Sequence, residues 1–125
     1  MPGPNSSTLL LAIAEPTRLR IVNCLAAAPL FVSDLQAILE LPQPTVSRHL
    51  TVLRHAGIVR DTPVGQFVLY RLFRTGRHER LLNAILEGLA GEEGMKLERH
   101  RALDRSRERG GARPAARAGG TGVNG

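Results

Sequence analysis

The chain has one cysteine, Cys24, no tryptophan, and aromatic residues at only 3% of its 125 positions. A single cysteine excludes an intramolecular disulfide framework and any site that needs several thiolates from one chain. With so few aromatic residues, the core must be built mainly from Leu, Val, Ile and Ala, within a hydrophobic fraction of 42%. No run of about eighteen apolar residues is present. The sequence therefore predicts no membrane span and favours a cytoplasmic location.

The arrangements that support catalysis are also missing from the sequence. No glycine-rich phosphate loop follows a predicted strand, and no pair of carboxylates stands in a context typical of an active site. Cys24 lies within a predicted helix, and no loop is placed to bring a histidine base to it. We therefore expect a protein that is not an enzyme and uses no cofactor.

Charge is unevenly distributed along the chain, whose formal net charge is +6. Residues 1–94 hold nine basic and eight acidic residues, whereas residues 95–125 hold eight basic and three acidic residues. From Gly110 onward, Gly, Ala and Arg dominate and too little apolar surface is available for folding. The composition predicts a disordered basic tail, which either serves solubility alone or adds attraction to phosphates.

Residues 41–60, LPQPTVSRHLTVLRHAGIVR, form the most informative segment of the chain. They predict a turn containing two prolines, followed by a helix of about a dozen residues. At about 100° per residue, Val46, Leu50 and Leu53 share one narrow sector and would pack on the preceding helix. Elsewhere the segment is polar and basic, with three arginines, two histidines and no acidic residue from position 43 onward. Such a face suits a helix that enters a DNA groove lined by phosphates.

The position of each polar side chain along this helix predicts its DNA contact, because residues near the N-terminus of a recognition helix reach base edges. Gln43, Ser47 and Arg48 are the candidates for base contact, since Gln can bind adenine and Arg can bind guanine through two hydrogen bonds. Thr51 and Arg54 are candidates for phosphate contact. The complete predicted DNA-binding set, which includes the tip of the following hairpin, is Gln43, Thr45, Ser47, Arg48, Thr51, Arg54 and Gln66.

The flanking segments complete a winged helix-turn-helix. One helix opens at Glu15-Pro16-Thr17, with proline at the first helical position, and a short second helix opens at Ser33, which has a glutamine at capping-box spacing. Gly57 is expected to end the recognition helix in the left-handed conformation. Two runs rich in β-branched and aromatic residues, 58–60 and 67–72, predict a hairpin. The predicted fold is mainly α-helical with a β-hairpin wing.

Over about residues 9–90 the chain resembles the ArsR/SmtB family of winged-helix repressors. The matching motifs occur in family order, with EPTRLRI at 15–21, VSDL at 32–35, TVSRHL at 45–50, VLRHAGIV at 52–59 and YRL at 70–72. The resemblance implies a homodimer that represses transcription by binding a near-palindromic operator in double-stranded DNA. Many members sense metals, metalloids or thiol oxidation, but the resemblance identifies no effector for this chain.

Some residues depart from the family pattern and weaken the expected DNA contacts. Pro42 and Pro44 stand where the family usually has hydroxyl residues around the first glutamine of the recognition helix. Gln66 replaces the usual arginine at the wing tip, which reduces the expected attraction to the minor groove. His49 lies at the edge of the apolar sector and is expected to pack against the protein and not to contact DNA.

Apolar residues recur at helical spacing after the hairpin, on a helix predicted from about residue 75 to residue 90. We expect this stripe to pair with its copy in a second chain, together with an N-terminal apolar run; packing against its own domain is the alternative. The predicted dimer interface consists of Leu9, Leu10, Ile13, Leu81, Leu82, Ile85, Leu86 and Leu89. Glycines at positions 88, 91 and 94 should break or fray the helix.

Composition divides the chain into four predicted parts. They are a flexible N-terminus at 1–8, a winged helix-turn-helix domain with its dimerisation helix at 9–91, a charged and marginally helical segment at 92–109, and a disordered tail at 110–125.

No metal site is predicted. In the resembled family, metal sensors often place cysteine in the helix before the recognition helix, but residues 31–35 contain none, and the zinc-binding pattern of the last helix is missing around His78. Cys24 is expected to be a small, partly buried helix residue, with a thiol-reactive sensor as the alternative. A second alternative is a winged-helix module that binds a partner protein and not DNA.

Overall fold

The computed structural model describes residues 5–74, 76 and 78–112. Within this part, the chain forms six helices and a three-stranded antiparallel sheet. This agrees with the mainly helical fold with a β-hairpin wing that the sequence predicts. The elements in chain order are α1 (Ser6–Ile13), α2 (Pro16–Ala27), β1 (Leu30–Phe31), α3 (Val32–Leu39), α4 (Gln43–His55), β2 (Val59–Val64), β3 (Phe67–Leu72), α5 (Glu79–Leu89) and α6 (Glu93–Ala112). No described helix combines the length and the apolar character needed to cross a membrane.

The first two helices begin at side-chain caps. Asn5 accepts a hydrogen bond from the backbone N–H of Thr8, so α1 starts inside the segment 1–8, for which the sequence predicts flexibility. Glu15 caps α2 by accepting from the backbone N–H of Arg18 at 2.8 Å, and Pro16 occupies the first helical position as predicted. These caps satisfy backbone donors that the first turn of a helix leaves without partners.

The predicted capping box at Ser33 is wrong, because α3 begins at Val32 and its cap position lies two residues before Ser33. Strand β1 pairs with β3 and fixes the chain as far as Phe31, which therefore stands at the cap position. The carboxylate of Asp34 accepts the backbone N–H of Phe31 at 2.9 Å and takes the role expected of Gln36.

The recognition helix α4 follows α3 after a short turn. It runs from Gln43 to His55, with Pro42 at its N-cap. It ends just before Gly57, which takes the predicted left-handed conformation with a φ of 77°. Two hydrogen bonds close this end, from Ile58 N–H to Leu53 O and from Gly57 N–H to Arg54 O. This double closure directs the chain from α4 into strand β2.

The sheet has the strand order β1-β3-β2. Strand β2 extends to Val64, beyond the predicted end at Arg60, and pairs with the whole of β3. Pro63 is tolerated in it because β2 is an edge strand, where a missing N–H need not break a ladder. The wing tip is thus reduced to Gly65 and Gln66. The sequence does not predict strand β1, since a two-residue strand carries no periodicity of its own.

Helix α2 forms the centre of the core, with Ile21, Val22 and Leu25 buried, and α3, α4 and β3 pack around it. Helix α6 folds back across α2 and reaches α3. Its buried Ala102 allows this close approach.

The break between α5 and α6 falls around Gly91, one of the predicted positions, whereas Gly88 and Gly94 are accommodated within the helices. Helix α6 reaches Ala112, so it includes the first three residues of the predicted tail at 110–125. The remainder of that tail, from residue 113, lies outside the described residues, as do residues 1–4.

Candidate DNA-binding surface

Helix α4 turns an apolar face inward and a polar face outward. Val46, Leu50 and Leu53 are fully buried, as their shared sector predicts. Of the predicted DNA-binding residues on this helix, Gln43, Arg48, Thr51 and Arg54 are exposed, and Thr45 and Ser47 are half-buried. The helix therefore presents a surface of amide, hydroxyl and guanidinium groups.

Two of the candidates for base contact interact with each other. The Gln43 side-chain amide donates to the Ser47 hydroxyl at 2.7 Å, across one helical turn. Thr51 in turn donates its hydroxyl proton to the Ser47 backbone carbonyl at 3.0 Å. The Gln43 amide keeps one proton and its carbonyl oxygen, which together match the edge of adenine in the major groove.

His49 packs against the protein, as predicted. Its Nδ1 lies 3.2 Å from Nη1 of Arg18 and 3.8 Å from the carboxylate of Glu15. Arg18 also donates its Nε proton to the carbonyl of Ala12 at 2.6 Å. Arg18 thereby joins the C-terminal end of α1 to α2 and α4. This contact supports the recognition helix on the side that faces the rest of the protein.

The tip of the wing faces the N-terminal end of α4 across a groove. Gln66 is exposed at the wing tip, next to Phe67, whose side chain is 61% exposed. The ring of Phe67 packs edge-on against Phe31, with the ring centroids 6.2 Å apart. The groove is lined by residues of β1, α3, α4 and the wing, among them Phe31, Gln36, Gln43, Ser47, Gln66, Phe67 and Tyr70.

Sequence reasoning missed two residues of this surface. Phe67 is predicted only as part of a strand, and the sequence does not say which face of that strand is exposed. Asp61 escapes notice because it falls just after the acid-free segment; its carboxylate lies 3.6 Å from the guanidinium of Arg54.

The predicted dimer residues divide into two groups. Leu9, Ile13, Leu82 and Leu89 are buried in the chain's own core, which supports the alternative that part of the stripe packs within its own domain. Leu10 is 47% exposed, and Leu81, Ile85 and Leu86 are half-buried at the edge of the core. Leu11, which is not in the predicted set, is more exposed than any of them. The part of the predicted interface that a second chain can reach is thus Leu10, Leu81, Ile85 and Leu86.

Cys24 is fully buried on α2, beneath α6, with its Sγ 4.0 Å from the carbonyl oxygen of Glu98. Burial, followed by the nearby Glu98 carboxylate, raises the pKa of the Cys24 thiol to about 12. Because of this raised pKa, the folded protein keeps the Cys24 thiol protonated at neutral pH. Among the described residues, no group of three or more His, Cys, Asp or Glu side chains is arranged to hold a metal ion.

A recognition helix with a polar and basic outer face, placed beside a β-hairpin, defines a winged helix-turn-helix protein. A family model described as "Bacterial regulatory protein, arsR family" matches residues 15–61, the part that contains α2, α3, α4 and the start of the wing. The chain belongs to this family, as its motifs predict.

Relatives and solved structures agree with this assignment. The chain is 39% identical to the HTH-type transcriptional repressor SmtB of Mycobacterium tuberculosis over 87 residues, which cover 70% of this chain and 63% of SmtB. It is 33% identical to the transcriptional repressor SdpR of Bacillus subtilis over 51% of this chain and 71% of SdpR. The structure of reduced HlyU from Vibrio cholerae matches with a TM-score of 0.60 and 35% identity, over 68% of this chain and 84% of HlyU.

The repressor BigR from Xylella fastidiosa gives a TM-score of 0.61 at 31% identity, over 70% of this chain and 85% of BigR. The chain thus spans less than two thirds of the length of SmtB, but most of the length of SdpR, HlyU and BigR.

Proposed function

We propose that this protein is a transcriptional repressor that binds an operator in double-stranded DNA as a homodimer. The outer face of α4 supports this function, because Gln43, Ser47, Arg48 and Arg54 lie on one helix beside a wing. Relatives named as repressors support the regulatory role. DNA as the partner places the protein in the cytoplasm, and no step of this function requires an enzyme activity.

The two ends of α4 would meet DNA differently. Gln43, Ser47 and Arg48 lie within the first two turns, where a recognition helix reaches base edges. Thr51 and Arg54 lie in the last turns, where backbone phosphates are nearer. Gln66 at the wing tip would reach the neighbouring minor groove, with less attraction than an arginine would provide.

The homodimer is proposed from the apolar side chains that the fold leaves accessible. Leu10 on α1 and Ile85 and Leu86 on α5 remain at least partly exposed in one chain. Covering them in a second copy would remove apolar surface from water. Two recognition helices in such a dimer would read half-sites about 10 base pairs apart, or a multiple of that spacing.

A mobility shift with the DNA upstream of the protein's own gene tests the proposal. The wild type should shift this fragment at low salt and prefer it to an unrelated duplex. The double variant Arg48→Ala and Arg54→Ala should lose the shift. The control Arg101→Ala and Arg107→Ala removes the same charge from exposed positions on α6 and should bind almost as the wild type does.

Failure of the folded wild type to shift any duplex at low salt would overturn the proposal. Capture of a partner protein in its place would then favour the alternative function, a winged-helix module that binds protein.

A further inference from the structure

We propose that Arg109, near the C-terminal end of α6, is a positioning residue that holds the wing in place for operator binding. The inference rests on the proposed function. It joins three observations: a buried carboxylate at the start of α3, an arginine that touches both this carboxylate and an aromatic ring, and a second ring on the wing.

Asp34 is the buried carboxylate, with a residue exposure of only 3%. It accepts the backbone N–H of Phe31 and Nε of Arg105, each at 2.9 Å, and it also accepts Nη1 of Arg109. A buried charge is tolerated when it is paired and hydrogen-bonded, and the first turn of a helix adds favourable backbone dipoles. Asp34 therefore fixes the end of α6 to the start of the helix-turn-helix.

Arg109 differs from Arg105 because it makes two further contacts. Its Nη2 donates to the carbonyl oxygen of Pro29 at 3.3 Å. Its guanidinium carbon lies 4.9 Å from the centroid of the Phe31 ring, within the range of a cation–π interaction. Arg109 thus holds the backbone before β1 and the aromatic side chain that ends β1.

Phe31 carries the contact on to the wing. Its backbone pairs with Leu69 of β3, and its ring meets Phe67 at an interplanar angle of 69°. Phe67 directly follows Gln66, the exposed residue of the wing tip. The contacts Arg109 to Phe31 and Phe31 to Phe67 therefore connect α6 to the part of the wing that would meet DNA.

The sheet supports one side of the wing over only a short stretch. On one side β3 pairs with β2, which is itself an edge strand, and on the other side β3 pairs only with the two residues of β1. Besides this pairing, α2 and α3 contact β3, and Arg54 on α4 lies near Asp61 on β2. Arg109 adds a restraint next to the wing tip through the ring of Phe31, which meets Phe67.

Footprinting on the operator with hydroxyl radicals tests the inference in the full chain. At equal operator occupancy, Arg109→Ala should lose the flanking protection that comes from the wing and keep the protection given by α4. Its affinity should fall roughly three- to tenfold. Phe67→Ala should give the same pattern, since it removes the other end of the contact.

Arg105→Ala is the matched control, because it removes an ion pair with the same carboxylate but leaves the Phe31 contact. It should keep the wing protection. A general loss of stability would lower the affinity but, at equal occupancy, leave both protections unchanged. Preserved wing protection in Arg109→Ala, or equal loss in Arg105→Ala, would overturn the inference.

Hydrogen exchange of the free protein provides a test that needs no DNA. Arg109→Ala should speed exchange of the backbone amides at 66–69 roughly threefold or more, and Arg105→Ala should change them much less. Unchanged wing exchange in Arg109→Ala would contradict the positioning role even if the wild type binds DNA. If Arg109→Ala speeds exchange in the wing but the wild type binds no DNA, the contact is supported and the proposed function is refuted.

Discussion

Arg54, in the last turn of α4, lies 3.6 Å from the carboxylate of Asp61 on wing strand β2. Both side chains are partly exposed, so the pair contributes little to stability, within about 1 kcal/mol. Its importance lies in its position, because it places a negative charge beside an arginine predicted to contact phosphate. DNA binding would have to separate Arg54 from Asp61 or bring phosphate close to a carboxylate.

Replacing the carboxylate should therefore strengthen DNA binding. In Asp61→Asn, Arg54 loses its competing partner and the repulsion between Asp61 and phosphate is removed. We expect several-fold tighter binding to any duplex, and a slope of log affinity against log salt that is steeper by about one. Binding to an unrelated duplex at several salt concentrations measures both. Weaker binding by Asp61→Asn would show that Asp61 orients Arg54 for DNA contact and does not compete with phosphate for it.

Arg48 and Arg54 should differ in their effect on sequence preference. Arg48→Ala should weaken operator binding by about 1–3 kcal/mol and blur the preference at one base pair in each half-site. Arg54→Ala should weaken binding to all sequences alike and lower the salt slope. Selection from a randomised site library separates the two effects. If Arg48→Ala loses affinity evenly across the library, its assignment to base contact is wrong.

The features that sequence predicted well depend on neighbouring residues. Pro16 at a helix start, Gly57 at a helix end and the apolar sector of α4 act within a few positions, and each is found as predicted. The contact between Asp34 and Arg109 joins positions 75 residues apart. No local pattern indicates which acidic residue will be buried or which arginine will reach it.

The apolar stripe on α5 illustrates a second limit. Helical spacing identifies its residues, but spacing does not say whether an apolar side chain packs in its own core or in a second chain. Leu82 is 2% exposed and belongs to the core, whereas Leu86 on the same helix stays at the edge. The difference comes from how α5 lies on α2, which depends on the whole fold.

The dimer interface is tested by charged substitutions at its accessible residues. Leu10→Glu combined with Leu86→Glu should give folded monomers with much weaker operator binding, because a buried charge without a partner opposes association. Sedimentation measures the mass, and circular dichroism checks that the variant is folded. Leu82→Glu is the contrasting variant and should unfold the chain. A double variant that stays dimeric would refute this interface.

Residues 113–125 contain two arginines, Arg113 and Arg117, and no acidic residue. If this segment adds attraction to phosphates, ending the chain after Ala112 should lower the salt slope by up to about two and leave the preferred operator sequence unchanged. The thermal unfolding temperature should not change by more than a degree or so, because the composition of this segment offers little apolar surface to bury. An unchanged salt slope would leave solubility as its role.

Zinc, cadmium, arsenite and antimonite should not release the protein from DNA at stoichiometric amounts. Soft metal ions need two to four thiolate or imidazole ligands in a fixed geometry, and each chain has one thiol, buried on α2. A titration of the operator complex with each ion, run beside Cys24→Ser, is the measurement. Release at near-stoichiometric metal that is abolished in Cys24→Ser would make Cys24 a ligand.

The Cys24 thiol should make stability fall as the pH rises above about 9. Its pKa rises from the ordinary cysteine value of 9.0 to about 12 in the folded protein, where burial opposes the thiolate. Above pH 9 the unfolded chain therefore loses this proton while the folded chain keeps it, and ionisation favours unfolding. At pH 10.5 the effect amounts to about 2 kcal/mol.

Cys24→Ala has no thiol to ionise, so the stability advantage of the wild type over this variant should narrow between pH 7 and pH 10.5. Thermal unfolding of both proteins measures this gap. A constant gap, or fast reaction of the folded wild type with a thiol reagent at pH 8, would show that the thiol is not held under α6 as described.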